Sequence, residues 1–403
     1  MPLLTNISTL YQCLPSGGQA EIHPIPDAAV AWRDGRIEWV GVADTVPAPM
    51  REQETLDAGG RIVVPGLVDC HTHLAFGGWR AEEFVRKVQG DSYLEIARTG
   101  GGIASTVTAT RAASSDLLIE RCRHALAEML SLGVTAVEAK SGYGLTAEHE
   151  IRLLEVYHAV AGAVPQLLAP TLLAAHTIPA EYRDRRQRYV ELIVDEIIPT
   201  VAARRLARFC DVFVEETAFT VAEAREILTA GRRSGLRPKL HADQITDSGG
   251  AALAAEVGAA SADHLEQISD SGISALARAG VVAVSLPLAT LYLNQRPLPA
   301  RRLIDAGVPV AVATDFNPGS APSYHLPFAM MLAVTLQRMT PAEVLKGATV
   351  YAAKAAGLEA DVGSLRPGAR ADLAVIDAPT IDHWLYHLRA NACDRVIANG
   401  VSY

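Results

Sequence analysis

Residues 61–73 read RIVVPGLVDCHTH, an apolar run rich in Val, Ile and Leu that ends on two histidines one residue apart. Apolar strands without polar alternation are buried on both faces, which is the signature of a parallel sheet covered by helices. The run at 61–70 is the first of eight such candidates. The others are VTAVEAK (134–140), QLLAPTLLAAH (166–176), CDVFVE (210–215), LRPKLHA (236–242), ASADHLE (260–266), VVAVSLP (281–287) and VPVAVATD (308–315). Helical spacing fills most of the intervals. The segments at 114–133 and 220–235 open on Ser or Thr and close on Gly, as capped helices do. Eight strand–helix units predict a (β/α)8 TIM-like barrel over residues 61–359 rather than an open sheet.

The two ends of the chain read differently. Residues 25–60 carry AAVAWRDGRIEWVG, two short alternating strands around Asp34-Gly35, a strong hairpin signal. GSLRPGARADLAVID (363–377) and DRVIANG (394–400) are strand-like again. Residues 1–60 and 360–403 are therefore expected to pair into one small β-sandwich domain, with the barrel inserted between its halves.

The chain has 403 residues, 49% hydrophobic and 20% charged, with net charge −9, ample for a large core. No basic stripe argues for nucleic acid, and the arginine clusters at 183–188 and 204–208 lie among acidic residues as solvated helix faces. The first 32 residues hold no Lys or Arg, so they lack the charged front of a signal peptide, and no apolar run is long enough to span a membrane. The five cysteines are scattered without metal or redox spacing, as expected of reduced thiols in the cytoplasm. Cys70 and Cys210 sit in apolar runs and read as packing residues. A homodimer through apolar helix faces is a further expectation.

In a barrel, chemistry gathers at the C-terminal ends of the strands. Of 12 histidines, 5 fall there: His71 and His73, His176, His241 and His264. Asp315 ends the eighth strand, Lys140 the second and Glu215 the fourth. One such histidine alone is more often a satisfied core residue than a ligand; five on one rim reverse that. Residues i and i+2 of a strand face the same side, so His71 and His73 can present imidazole nitrogens to one ion. With His241 and Asp315 they supply four ligands of the kind that suits Zn2+ or iron, with a position left for water. His264 is placed to orient or deprotonate that water, and His176 to polarise a substrate carbonyl. Arg80 follows Gly77-Gly78 in the loop after strand 1, where a guanidinium could clamp a substrate carboxylate. The Gly-rich stretch RTGGGIAST (98–106) reads as a mobile loop over the mouth; it lacks the Lys-Ser/Thr ending of a phosphate cradle.

VPGLVDCHTH, HAD, SADHLE and ATDFNPGS, in this order, resemble the amidohydrolase superfamily. DCHTHLAFGGWRAEEF (69–84), GGGIASTVTATR (100–111), EAKSGYGL (138–145), AAHTIP (174–179) and TDFNPGS (314–320) narrow the resemblance to the imidazolonepropionase family, over nearly the whole chain. It implies hydrolysis of 4-imidazolone-5-propanoate, a small-molecule substrate, to N-formimidoyl-L-glutamate in histidine degradation. It implies one Zn2+ or Fe3+ per chain on His71, His73, His241 and Asp315. Arg80, Tyr143, His176, Asn317, Gly319 and Ser320 would contact substrate or product. Some relatives carry Glu where this chain has Gln244. A carboxamide cannot take a proton, so the base role passes to His264 with Asp315, and Gln244 becomes a water or substrate contact. No lysine ends strand 4, which favours one metal over two.

Two rival readings share parts of this pattern. Another mononuclear amidohydrolase, such as a formiminoglutamate deiminase or a nucleobase deaminase, would keep the metal ligands. Arg80, Tyr143 and the 317–320 turn speak against it. A non-catalytic scaffold would be expected to have lost ligands, and all four ligand positions remain.

Overall fold

The computed structural model describes residues 2–52, 54–91, 95 and 100–403. Eight parallel strands form one sheet in chain order: β6 (Leu67–Thr72), β7 (Val134–Lys140), β8 (Leu167–Ala175), β9 (Phe209–Val214), β10 (Arg237–Ala242), β11 (Ser261–His264), β12 (Val282–Ser285) and β13 (Val310–Val312). The sheet closes on itself through the residues after β13. Asp315 N–H donates to the His71 carbonyl at 3.0 Å and His73 N–H to that of Phe316 at 2.8 Å. Buried Asp69 adds a side-chain clasp, accepting from the Thr314 hydroxyl and N–H. This is the expected (β/α)8 barrel.

The second sheet comes from both chain ends. Its strands precede and follow the barrel: β1 (Leu3–Tyr11), β2 (Pro24–Arg33), β3 (Arg36–Val42), β4 (Thr55–Asp57) and β5 (Ile62–Pro65), then β14 (Leu373–Ile376), β15 (Cys393–Ala398) and β16 (Val401–Ser402). β14 pairs with β5, which joins the two ends. β2 and β15 lie apart in strand order, yet the Trp32 indole donates to the Gly400 carbonyl beyond β15. The sheet thus folds over its own core of Leu4, Leu10, Val30, Val63, Leu373 and Ile397, as a small sandwich. The hairpin turns at Asp34-Gly35, both with positive φ as a two-residue turn requires.

Three expectations are corrected. The run at 61–70 is not one strand: Ile62–Pro65 belongs to the end sheet and Leu67–Thr72 to the barrel. The break falls at Gly66, where a Cβ would overlap the Thr135 side chain. Apolar burial is equal on both sides, so hydropathy could not show the change of sheet. β1, with its mixed burial, gave no clear alternation and was not anticipated. In the Gly-rich segment, residues 98 and 99 lie outside the described residues, and Ile103–Ala112 is helix rather than mobile loop. The Glu83 carboxylate anchors its start, accepting from Gly102 N–H and the Ser105 hydroxyl.

The helix Ser115–Ser131 is capped by the Ser114 side chain, and Val221–Arg233 by a reciprocal Thr220–Glu223 capping box. Such caps contribute about 1 kcal/mol each. Arg186, Arg188 and Arg204 pair with Glu223, Glu191 and Glu155, consistent with solvated faces. All five cysteines are free thiols. Among the described residues no helix is long and apolar enough to cross a membrane.

Candidate active site

The ends of β6, β8, β10 and β11, with the residues after β13, bring one group of side chains together. His71, His73, His176, His241, His264 and Asp315 are all buried. The His71 ring lies 5.4 Å from that of His73, 4.6 Å from His241 and 5.7 Å from His264. Donor atoms of His71, His241 and His264 lie within 4.8 Å of one another, and so do those of His71, His73 and Asp315. The two triads share His71, so five potential donor side chains cluster about it. Asp243, His264 and Asp315 adopt left-handed backbone, with φ of +47°, +79° and +56°. Non-glycine residues adopt it rarely, and it gathers where side chains must be aimed.

Hydrogen bonds define which nitrogen of each ring faces inward. His71 Nδ1 lies 2.6 Å from Asp263 Oδ2 and His241 Nδ1 lies 3.1 Å from Asp211 Oδ1. A carboxylate accepts, so each Nδ1 carries the proton and each Nε2 offers a lone pair. His241 Nε2 is buried without a hydrogen-bond partner among the described residues, and His71 Nε2 sits 3.4 Å from Asp315 Oδ1. Orphaned buried acceptors beside a buried carboxylate are costly unless a cation occupies the space between them. The donor set therefore fits a metal such as zinc or iron.

The charges agree with this. Burial pushes the Asp315 carboxyl up, but its contacts with His71 and His73 outweigh that and hold it well below the usual range. Burial pushes His241 down to about 3 despite Asp211. Burial and the Lys140 ammonium press His71 down, while Asp263 and Asp315 lift it further, so its net shift is upward. Metal uptake at His71 thus competes with a proton.

His176 stacks on His73 at 5.0 Å, and its Nδ1 donates to the Gly142 carbonyl at 3.0 Å. Burial, with His73 and His241 nearby, holds it well below 6.5 and hence neutral at pH 7. A neutral ring with its proton on Nδ1 has only a lone pair at Nε2. Donation to a substrate carbonyl, the role expected from the sequence, is unavailable to that tautomer. Tyr143 is buried beside both rings, 5.6 Å from His73 and 5.3 Å from His176.

Arg80 lies above Gly319. Its backbone N–H donates to the Pro318 carbonyl, its Nε is buried without a hydrogen-bond partner among the described residues, and Glu83 stands 4.0 Å from Nη1. Asn317 builds the turn beside it. Its Oδ1 accepts from the N–H groups of Gly319, Ser320 and Ala321, and its Nδ2 donates to Asp315 O and Ser320 Oγ. The amide is spent on building the turn, and so is the Ser320 hydroxyl in part. Gln244 is nearly buried in the loop after β10. Glu215, at the end of β9, holds that loop by accepting from Ile245 and Thr246 N–H.

Several residues were not singled out from the sequence. Asp211 lies inside β9, three residues before its end at Val214, and Asp263 lies in β11, one residue before His264. Glu150, on the helix Ala147–Ala161, accepts from the N–H groups of Gly142, Gly144 and Leu145 and so shapes the Tyr143 segment. The available signal was a lone carboxylate within an apolar strand or on a buried helix face.

A family model described as the amidohydrolase family matches residues 62–402. An imidazolonepropionase of Symbiobacterium thermophilum is 47% identical over 384 residues, covering 93% of this chain and 90% of that protein. One of Myxococcus xanthus is 50% identical over 368 residues, covering 91% and 87%. Among solved structures, an adenosine deaminase from Xanthomonas campestris with bound zinc aligns with TM-score 0.73 and 20% identity, covering 100% of this chain and 92% of that one. A triazine hydrolase from Arthrobacter aurescens aligns with TM-score 0.76 and 17% identity, covering 100% and 94%. At these identities the two structures speak to the fold alone. The barrel, the rim of five donors and the relatives agree: the chain belongs to the amidohydrolase family and, within it, to the imidazolonepropionases.

Proposed function

We propose that this chain hydrolyses 4-imidazolone-5-propanoate to N-formimidoyl-L-glutamate, with His71, His73, His241 and Asp315 holding one Zn2+ or Fe3+. The observation that carries the substrate is Arg80, a half-buried side chain on the rim whose buried Nε has no hydrogen-bond partner among the described residues. A planar fork of that kind matches a carboxylate in two-point fashion, as the propanoate tail requires. The bound ion would polarise the ring carbonyl and lower the pKa of water towards about 7.

The chain's own groups do the rest. Asp263 and Asp211 keep the lone pairs of His71 and His241 turned inward. His264, with Asp315 beside the attacking water, takes its proton and returns it to the ring nitrogen as the C–N bond breaks. His176 Nε2 accepts from a ring N–H of the substrate, the role its tautomer permits. Gln244 orients water or substrate without taking a proton. Arg80 and Tyr143 hold the tail so that the ring meets the donors in one orientation.

The test is direct. Purified protein incubated with freshly prepared imidazolone propionate should consume the ring chromophore, stop on chelation, and resume with Zn2+ or iron. Metal-loaded protein that leaves the chromophore untouched would defeat the substrate assignment and turn attention to deaminase substrates.

A further inference from the structure

Beneath the site lies a layer of buried charge, of which only Asp211 and Asp263 touch the histidines above. Glu138 and Lys140 on β7, Asp211 on β9, Lys239 on β10 and Asp263 on β11 are all fully buried. Barrel interiors are normally filled by branched apolar side chains. Burying ions is costly even when they pair, and an apolar set of similar volume is often as stable. Stability therefore gives no reason for this layer.

Its connections do. Lys140 Nζ donates to Asp211 Oδ2 at 2.8 Å and to Glu138 Oε1 at 2.9 Å, and lies 3.5 Å from Asp263 Oδ2. Asp211 uses its other oxygen for His241, and Asp263 uses the same Oδ2 for His71. One ammonium thus contacts both carboxylates that orient His71 and His241. Glu138 is itself held by the Thr171 hydroxyl. The Lys140 backbone is pinned as well, its carbonyl accepting from Tyr157 Oη at 2.6 Å. Three carboxylates around one Nζ keep it an ammonium, which excludes service as a base or as a carboxylated metal bridge.

We propose that Lys140 is a positioning residue for the metal: its ammonium, buried between Glu138, Asp211 and Asp263, clamps the two carboxylates that aim His71 and His241. This rests on the metal-site reading above. Without the clamp, Asp211 and Asp263 repel and are free to rotate, and the two Nε2 lone pairs lose their common focus.

The experiment is Zn2+ affinity, measured on wild type and on K140M by competition with a chromophoric chelator, at a temperature where both are folded. Wild type and H241A are measured first, to establish that Zn2+ binds here at all. K140M is expected to bind Zn2+ about 10-fold more weakly, the low end of the loss seen when a metal ligand's own hydrogen-bond partner is removed, since Lys140 acts one step further out. The visible spectrum of the Co2+-loaded form should change with it, which a loss of general stability would not cause. K140M with wild-type Zn2+ affinity and an unchanged Co2+ spectrum would overturn the clamp, whatever its melting temperature. If K140M does not fold, D211N, D263N and the double variant replace it. Coupling through Lys140 predicts that the double variant's loss in Zn2+ affinity differs from the product of the single losses; simple multiplication overturns the proposal. A wild type that takes up no more Zn2+ than H241A removes the metal reading itself, and the clamp with it.

Discussion

Gly319 lies directly under the guanidinium of Arg80, so that a Cβ at that position would overlap Nη2, Cζ and Nε of the arginine. The obstacle is the end of a flexible side chain, which can move, rather than backbone. G319A should therefore leave the melting temperature near wild type while displacing Arg80. We expect kcat/KM to fall by on the order of 10–100-fold, about 1.4–3 kcal/mol of transition-state stabilisation, with most of the change in KM. Steady-state kinetics with G319A and R80A side by side would check it. Wild-type KM in G319A would show that Arg80 does not clamp the tail from this position.

Glu150 makes a second, less obvious claim on activity. Its carboxylate gathers three N–H groups of the 142–145 segment, and the Gly142 carbonyl in turn accepts from His176. In E150Q an NH2 group would face N–H donors. The loss should be about 1–3 kcal/mol of stability. Misplaced Tyr143 and His176 should also lower kcat/KM on the order of 10–100-fold. Thermal melting and kinetics that both match wild type would refute this.

His264 and His241 stand in the same triad with His71, yet different roles are assigned to them. H241A should lose Zn2+ readily to a chelator. H264A should retain its metal while kcat falls by about 10²–10⁴-fold, the usual contribution of a general acid–base group. Metal content by elemental analysis, alongside turnover, separates the two. An H264A protein that has lost its metal would move His264 into the ligand set.

Away from the site, Glu343 caps the helix Pro341–Lys346 and takes a two-point contact from Arg301. Burial pushes its carboxyl up, but Arg301 and the Thr340 N–H outweigh burial and leave it below its ordinary 4.5. A carboxyl depressed in the folded state contributes stability that is present above the unfolded value and is lost as pH falls through the folded one. Wild type should melt above E343Q at pH 7, and the gap should narrow as pH falls below about 4. Calorimetry of both proteins across that range checks it; a gap of constant size would contradict the assignment.

Much of the site was legible because barrel geometry converts strand ends into a rim. A histidine or aspartate closing an apolar run is visible in one dimension, and His71, His73, His241, His264 and Asp315 all stood out that way. Asp211, Asp263 and Lys140 did so less, since their meaning depends on which neighbours share their layer. Asn317 was read as a substrate contact because a polar residue after a strand looks available; its hydrogen bonds with Gly319, Ser320 and Ala321 add a part in building the turn, which spacing does not show.

The local pattern by itself determined the alternation of strand and helix, the caps at Ser114 and Thr220, and the Asp34-Gly35 turn, because each is set by residues within a few positions of one another. Only the tertiary structure decided that the run at 61–70 divides between two sheets at Gly66. It alone decided which nitrogen of His176 carries the proton, and that one lysine stands between the carboxylates behind His71 and His241. Those outcomes depend on contacts between residues far apart in the chain, and hydropathy and spacing carry no information about partners at that distance.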